Sequence, residues 1–160
     1  MVLHGRFPYL SYPRQYSKAD KEIAKEAMRV TGSTPYEEMN VSELSGGQRQ
    51  GVYLAMALAQ DTETVFMDEP TTYLDISHQL QVMQTAKNLA KHGKAVVLVL
   101  HDLALALSGA DRVAVFADGQ VRSCGTPEEI YQSGVLDKVF HVGVHRVDTQ
   151  HGKQYYVTSR

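Results

Sequence analysis

A helical pattern of apolar residues marks the first clear element of the chain. Ile23, Ala27 and Val30 recur at the i, i+4 and i+7 positions that form one face of a helix. Ser17 precedes this stretch as a helix N-cap, and Gly32 follows it as a helix terminator. The pattern therefore predicts an amphipathic helix between Ser17 and Gly32.

The segments on either side of this helix differ in pattern. Residues Met1 to Tyr16 are rich in aromatic residues and proline and show no period, so we expect a loop. Small and apolar residues from Ser45 to Gln60 predict a second helix, with two glycines at its start. Each glycine costs a helix about 1 kcal/mol relative to alanine, so these two require another explanation.

Short apolar runs then alternate with helical patterns. Thr64–Met67 predicts a strand, and Lys94–Leu100 is a continuous apolar run, as in a parallel strand buried on both faces. A short helix is expected after the second strand. Between the two strands a longer helix begins near Asp75, and its predicted inner face consists of Ile76, Leu80, Met83 and Ala90.

The last part of the chain predicts a third strand and a terminal hairpin. The strand Arg112–Ala117 is followed by Asp118-Gly119, a dipeptide typical of tight hairpin turns. Thr126 is placed to cap a short helix, and a small hairpin is expected around Gly152. The order strand–helix–strand–helix–strand predicts an α/β fold built on a parallel sheet.

Composition narrows the class of protein. Of the 160 residues, 43% are hydrophobic and 21% are charged, which is typical of a soluble globular domain. The net charge of −2 provides no basic field for binding nucleic acid. A single cysteine, Cys124, excludes an internal disulfide and a cysteine-based zinc site. The longest apolar run is far too short to span a bilayer, so a membrane role requires a partner.

Side chains suited to phosphate chemistry follow two of the predicted strands. Asp68 and Glu69 follow the first strand, and His101 follows the second. In open α/β sheets, ligands bind beyond the carboxyl ends of the strands. There an aspartate suits Mg²⁺, a glutamate can activate water and a histidine can reach a terminal phosphate. The alternatives are a solvated helix cap for the acidic pair and an ordinary surface position for the histidine.

The start of the second helix has the features of an anion site. A helix N-terminus carries about half a positive charge and free N–H groups. Ser45, Gly46 and Gly47 leave this terminus without bulky side chains, so that a phosphate can approach the backbone. The alternative is a flexible glycine turn with no ligand.

Together, these segments resemble the ATPase subunits of ABC transporters. In this chain, LSGGQ (Leu44–Gln48) resembles the signature motif of that family, and TVFMDEP resembles its Walker B segment. TTYLD (Thr71–Asp75) resembles its D-loop, and LVLHD resembles its switch-histidine loop. The order and spacing of these segments agree as well. Within the family, DEPTTYLDISHQ and MALAQDT are most similar to the subgroup that energises import of iron siderophores, haem or cobalamin.

The resemblance implies a partial P-loop NTPase fold, with ATP and Mg²⁺ as cofactors. Two such subunits pack head to tail around two ATP molecules, so each signature motif acts on the nucleotide of the opposite subunit. The resemblance implies that Ser45, Gly46, Gly47 and Gln48 contact the γ-phosphate of that nucleotide. It implies that Asp68 supports Mg²⁺ through water and that Glu69 is the general base. His101 would contact the γ-phosphate in its own subunit, and Asp75 would cross the dimer interface.

Domains and partners also follow from the resemblance. Residues 1–60 would form the helical subdomain facing the membrane subunits, and residues 61–160 the C-terminal part of the RecA-like core. The aromatic residues between Arg6 and Tyr12 indicate a docking surface for those subunits, and the alternative is that they pack the small subdomain. The expected partners are a second ATPase subunit and transmembrane permease subunits, with an extracytoplasmic binding protein in the system and no nucleic acid. The expected location is peripheral, at the cytoplasmic face of the membrane.

The sequence departs from the family pattern in two respects. Gly51 stands where the family usually has arginine, which removes a long side chain and adds flexibility to the signature helix. The Walker A pattern G-x-x-x-x-G-K-[ST], its strand and the Q-loop glutamine do not occur in the sequence. We therefore expect the C-terminal part of an ATPase subunit, with Met1 an internal methionine, and no hydrolysis by the 160-residue chain alone.

Two other functions are alternatives to this expectation. The alternative is a short chain that hydrolyses nothing and binds a partner ATPase or a membrane subunit through its signature helix or helical subdomain. Retention of both Glu69 and His101 favours descent from an active enzyme. A DNA-repair or translation relative of the same ATPase class is disfavoured, because such proteins lack the stretch TTYLDISHQ.

Overall fold

The computed structural model describes residues 1–150 and 152–159. The chain divides into two compact units, Met1–Val99 and Leu100–Arg160. The domain boundary predicted after residue 60 stays a prediction. The helices and strands of the first unit are α1 (Lys18–Val30), α2 (Gly46–Leu58), β1 (Thr64–Asp68), α3 (Ile76–Lys91) and β2 (Ala95–Val99), with short 3-10 helices at Val2–Tyr9, Thr34–Tyr36 and Val41–Glu43.

A 3-10 helix, Val2–Tyr9, occupies much of the segment predicted to be a loop, so that prediction was wrong. Gly5 allows this helix to approach α2 closely, because a Cβ at Gly5 would collide with the α2 backbone. The buried Arg6 donates from Nε to the Asp20 carboxylate and from Nη1 to Ala59 O, each at 3.0 Å. These contacts are tertiary and leave no periodic signal in the sequence.

The helix predicted after Ser17 is confirmed as α1. Ser17 Oγ accepts a hydrogen bond from Asp20 N at 3.1 Å, and Asp20 Oδ2 accepts one from Ser17 N at 2.9 Å. This reciprocal pair is a capping box. Gly32 follows the helix in the left-handed region, at φ 68°, as a helix-terminating glycine does.

A two-stranded parallel sheet lies beside the helices of the first unit. β1 and β2 pair in parallel, with Phe66 opposite Val97. The prediction that the second strand is buried on both faces was wrong: Val97 and Val99 of β2 are 43% and 50% exposed, and Phe66 on the neighbouring β1 is 76% exposed. The helices of this unit pack on the other face, and the core there includes Val52, Ala55, Leu58, Val65, Met67 and Leu89.

The inner face of α3 differs from the predicted one. Ile76 and Leu80 are 76% and 57% exposed, and Ala90 is exposed, so only Met83 was placed correctly. The buried stripe follows i, i+3, i+4 and i+7 from Val82 and includes small and polar residues, which a search for bulky side chains overlooks. The buried residues of α3 are Val82, Met83, Thr85, Ala86 and Leu89.

The second unit contains the two predicted hairpins. Asp118 and Gly119 both have positive φ, 51° and 71°, as a tight turn between two strands requires. Its core includes Leu107, Val115, Ile130, Leu136, Val144 and Tyr155. Its helices and strands are α4 (Leu103–Gly109), β3 (Val113–Ala117), β4 (Gln120–Gly125), α5 (Pro127–Gln132), α6 (Val135–Phe140), β5 (Val142–Thr149) and β6 (Gly152–Ser159).

The strand pairing confirms both predicted hairpins and the fold class. β3 pairs antiparallel with β4, as the hairpin turn at Asp118-Gly119 predicted, because the two-residue turn brings β4 directly back beside it. β5 and β6 form the predicted terminal hairpin. The α/β class is confirmed, with a parallel strand pair, a helical N-terminal part and a C-terminal β-hairpin.

Candidate functional site

The first turn of α2 contains the residues of the signature motif. Ser45 is the N-cap: its Oγ accepts from Gln48 N at 3.4 Å, and Gln48 Oε1 accepts from Ser45 N at 2.9 Å. This capping box fixes the direction in which the helix starts. A Cβ on Gly46 would meet no atom within 4 Å, so the backbone beside it is open.

Gly47 differs from Gly46 because the imidazole of His78 lies over it. A Cβ built on Gly47 would lie 2.6 Å from Nε2 and 2.8 Å from Cγ of His78, and it would also meet Cδ2. These separations are far shorter than van der Waals contact. A side chain at position 47 would therefore force the His78 ring to move, whether or not a ligand approaches.

The loop that ends at Asp75 is held by the first residues of α3. Asp75 is the N-cap of α3: Oδ1 accepts from His78 N at 2.9 Å, and both carboxylate oxygens lie 2.9 Å from His78 Nδ1. The backbone N–H of His78 and then its ring lower the pKa of Asp75. Gln79 Nε2 donates to Leu74 O at 3.1 Å and to Thr71 O at 3.4 Å.

His78 and Gln79 are the residues that sequence reasoning missed. The available signal was the N-cap Asp75, with a hydrogen-bonding side chain three residues later, where such residues commonly bond back to the cap. The contact of His78 with Gly47 left no signal, because the two residues are far apart in sequence.

Asp68 and Glu69 lie at the carboxyl end of β1, as predicted, and both are exposed. Glu69 N donates to Val99 O at 3.1 Å, which extends the parallel pairing by one residue. Glu69 adopts φ 47°, uncommon for a residue other than glycine, and its Oε2 accepts from Thr72 Oγ1 at 3.2 Å. The backbone and Thr72 together orient the Glu69 carboxylate.

His101 belongs to the second unit and is exposed. It precedes Asp102, the N-cap of α4, whose Oδ1 accepts from Leu105 N at 2.9 Å. The predicted strand–histidine–helix order is thus confirmed. The role of His101 toward a phosphate stays a prediction.

A cavity of about 200 Å³ opens in the first unit among α2, α3 and the end of β1. Its lining includes Gly47, Gln48, Asp68 and His78. The structure therefore brings two residues of the signature motif and the carboxylate at the strand end to one cavity.

The protein side chains at this site would supply only part of the coordination of Mg²⁺. Among residues 1–150 and 152–159, no three His, Cys, Asp or Glu side chains are grouped to bind a metal ion. Mg²⁺ commonly uses one or two carboxylates and completes its coordination with water and phosphate oxygens. The single exposed carboxylate of Asp68 is compatible with that arrangement.

Comparison with known proteins agrees with these motifs. Residues 5–72, which include the signature motif and the strand end with Asp68 and Glu69, match the family model for the ABC transporter. The chain is 41% identical over 143 residues to the petrobactin import ATP-binding protein FpuD of Bacillus anthracis, a match that covers 89% of this chain and 52% of that protein. Over most of its length the chain is thus similar to ATP-binding subunits of ABC transporters.

A second import ATP-binding protein is similar to the chain to the same degree. The hemin import ATP-binding protein HmuV of Rhodococcus jostii is 42% identical over 140 residues, covering 88% of this chain and 47% of that protein. The chain spans about half the length of the curated relatives it matches.

Solved structures of ABC proteins share the fold. A metal-chelate type ABC transporter in an inward-facing conformation matches with a TM-score of 0.88 and 24% identity, covering 98% of this chain and 64% of that one. The dimeric bacterial ABC transporter cassette MJ0796 matches with a TM-score of 0.65 and 29% identity, covering 79% and 54%. In the part of this chain that the structure describes, every helix is too short or too polar to cross a membrane.

Proposed function

We propose that this chain acts within the ATP-hydrolysing subunit of an ABC importer. The observation that carries the proposal is the open first turn of α2, where Ser45 and Gln48 cap each other and Gly46 leaves the backbone exposed. A helix N-terminus of this kind binds phosphate through its N–H groups and its dipole. Ser45, Gly46, Gly47 and Gln48 would contact the γ-phosphate of ATP held by the opposite subunit.

The end of β1 supplies the hydrolytic groups in this proposal. Glu69 acts as the general base on the attacking water, and its left-handed backbone and the Thr72 hydroxyl support this role by orienting its carboxylate. When bound, Mg²⁺ neutralises charge on the phosphates, and Asp68 would hold it through water. His101 would contact the γ-phosphate in its own subunit, and Asp75 would cross the dimer interface.

The relatives support a substrate class for the importer. Their names specify import of petrobactin, achromobactin, iron(3+)-hydroxamate and hemin. We propose uptake of an iron siderophore, haem or cobalamin, with a second ATPase subunit, transmembrane permease subunits and an extracytoplasmic binding protein as partners. The chain would then lie at the cytoplasmic face of the membrane as a peripheral subunit.

The segment from Arg6 to Tyr12 is the proposed contact with the permease. Arg6 is buried, and Tyr9 donates to Gln60 O at 2.6 Å, so both stabilise the first unit. Phe7 is 50% exposed and Tyr12 is 96% exposed, and aromatic side chains of this kind are enriched at interfaces. Alanine at Phe7 and Tyr12 should abolish co-purification with the permease and leave the helical content unchanged; retained co-purification would contradict the assignment.

The catalytic role of Glu69 is tested in a complete ATPase subunit that contains these residues. Glu69→Gln should reduce turnover by about 10²–10⁴-fold while ATP still binds, because the water loses its base. Glu63→Gln, at an exposed residue just before β1, is the matched control and should turn over normally. Near-normal turnover of Glu69→Gln would refute the assignment.

Action on the opposite subunit is tested with mixed dimers. One subunit carries Gly47→Asp, and either the same subunit or its partner carries an inactive Walker A loop. If the signature motif serves the nucleotide of the opposite subunit, one pairing leaves an intact composite site and the other leaves none, so activity depends on the pairing. In that case the intact site remains when the two changes are in different subunits. Activity that survives only when both changes are in the same subunit would instead indicate a site within one subunit.

The 160-residue chain alone should hydrolyse no ATP. Glu69 can act only on water aligned against a held γ-phosphate, and the Walker A backbone and lysine supply that hold in such enzymes. Mg²⁺-dependent phosphate release should not exceed that of the Glu69→Gln chain. Phosphate release that the Glu69→Gln change abolishes would show that the chain is sufficient for hydrolysis by itself. Stable binding of a partner ATPase by a chain without any hydrolytic role would favour the binding alternative.

A further inference from the structure

The imidazole of His78 contacts two segments to which the proposed function gives different roles. On one side, Nδ1 lies 2.9 Å from both carboxylate oxygens of Asp75. On the other side, the ring fills the space in which a side chain at position 47 would lie. His78 therefore connects the loop that ends at Asp75 with the first turn of α2.

These contacts fix the orientation of the ring. A carboxylate only accepts hydrogen bonds, so the bond to Asp75 assigns a proton to Nδ1. Nε2 then lies over Gly47, 2.6 Å from the position of a Cβ. His92, at the other end of α3, has no such bridging position: its Nδ1 bonds to Asn88 O at 2.7 Å, one turn back in the same helix.

The packing makes a side chain at position 47 and the bond to Asp75 mutually exclusive. A methyl group at Gly47 would displace the His78 ring, and a displaced ring cannot keep Nδ1 within 2.9 Å of both Asp75 oxygens. A shift of the first turn of α2 is therefore coupled to a shift of the loop. The coupling passes through a single side chain that is 35% exposed.

We propose that His78 is a positioning residue that holds the signature turn of α2 and the loop ending at Asp75 in one arrangement toward the nucleotide. This inference rests on the proposed function, because it takes both segments to face nucleotide across the subunit interface. His78 itself need not touch the nucleotide. Its removal should leave both segments folded but no longer fixed relative to each other.

The contact is tested first in the 160-residue chain by a double-mutant cycle in urea. Gly47→Ala alone should lower the equilibrium constant for folding, because the methyl group meets the His78 ring. In a His78→Ala background the same change should raise that constant by about fivefold, the usual advantage of alanine over glycine in a helix. His78→Asn, which keeps a donor near Asp75 without the ring, is a second background in which Gly47→Ala should be tolerated.

A His92→Ala background is the matched control for this cycle. There Gly47→Ala should remain as destabilising as in the parent chain. If Gly47→Ala has the same effect in the His78→Ala, His78→Asn and parent chains, the contact does not couple the two segments and the inference is overturned.

The positioning role is tested in the assembled ATPase dimer. His78→Ala should lower kcat by between about tenfold and 10²-fold, as loss of alignment does. ATP affinity of the isolated complete subunit should stay unchanged, because the signature turn acts on the opposite nucleotide. A loss confined to KM, or a kcat within twofold of the parent, would overturn the inference. Normal turnover of Glu69→Gln would instead overturn the proposed function.

Discussion

Replacing Gly51 by alanine tests whether the signature helix is weakened by its unusual glycine. α2 is continuous through this position. A Cβ on Gly51 would lie 3.7 Å from Thr31 O and 3.9 Å from Ser33 Cβ, which are ordinary contact distances. The backbone is helical, so alanine fits without strain. The glycine thus adds flexibility without being required by packing.

The expected gain in the free energy of unfolding of the Gly51→Ala chain has two parts. Alanine is favoured over glycine inside a helix by about 1 kcal/mol. A fully buried methyl group adds about 0.8 kcal/mol, and this half-buried one should add less. The free energy of unfolding should therefore rise by about 1–1.5 kcal/mol, which corresponds to a rise in Tm of roughly 2–6 °C for a chain of this size.

Urea unfolding followed by helical circular dichroism measures this gain. Gly47→Ala, one helical turn earlier, is the matched control: it is the same substitution in the same helix, but it should destabilise the chain because the methyl group meets His78. A rise in the free energy of unfolding for Gly51→Ala and a fall for Gly47→Ala would support the packing around the two glycines. A Gly51→Ala chain no more stable than the parent, or equal effects at the two glycines, would refute it.

Three further changes probe other parts of the structure. In urea, Arg6→Met should destabilise the chain more than Arg14→Met, because Arg6 forms the buried ion pair. Glu128→Gln should reduce the loss of stability between pH 4.5 and about 2, because Lys153 and further donors lower the pKa of Glu128 across that range. The purified chain should elute as an oligomer or aggregate, and Val97→Lys should shift it toward monomer, because it places a charge on the exposed apolar sheet face.

The pH effect has a definite sign. Ion pairs with Lys153 and Arg146 lower the pKa of Glu128 from 4.5 to about 2 in the folded chain. The contribution of Glu128 is therefore complete above pH 4.5 and disappears as the pH falls toward 2. Equal acid sensitivity of the parent and Glu128→Gln chains would contradict this account. Equal losses of stability for Arg6→Met and Arg14→Met would contradict the role given to the buried ion pair. A parent chain that elutes as a monomer would contradict the association prediction.

The caps and turns of this protein could be read from its sequence. Ser17, Ser45 and Thr126 each form a capping box with the residue three positions later, and Asp118-Gly119 forms the turn of a hairpin. These features depend on residues that are neighbours in the chain. The motifs and their order could be read for the same reason, and so the family and the α/β class were predicted correctly.

Other features depended on contacts between distant segments. The 3-10 helix at Val2–Tyr9 exists where Gly5 and Arg6 meet α2, and the inner face of α3 follows the residues that the neighbouring elements cover. The sequence showed an apolar strand after Lys94 but not that one face of it is exposed. Burial depends on which surfaces meet, and hydrophobicity along the chain does not specify the partner surface.

The two glycines of the signature motif show most clearly what local sequence determines and what tertiary contacts determine. From the sequence alone, Gly46 and Gly47 shared the same two explanations, close approach of a phosphate to a helix N-terminus or a flexible turn with no ligand. The tertiary structure separates them: Gly46 is open, whereas Gly47 lies beneath His78, a residue of another helix that Asp75 holds in place. Local sequence determined where the helix starts and which residues cap it. Only the folded chain decided which glycine lies against another side chain, because that depends on a residue brought there by tertiary contacts.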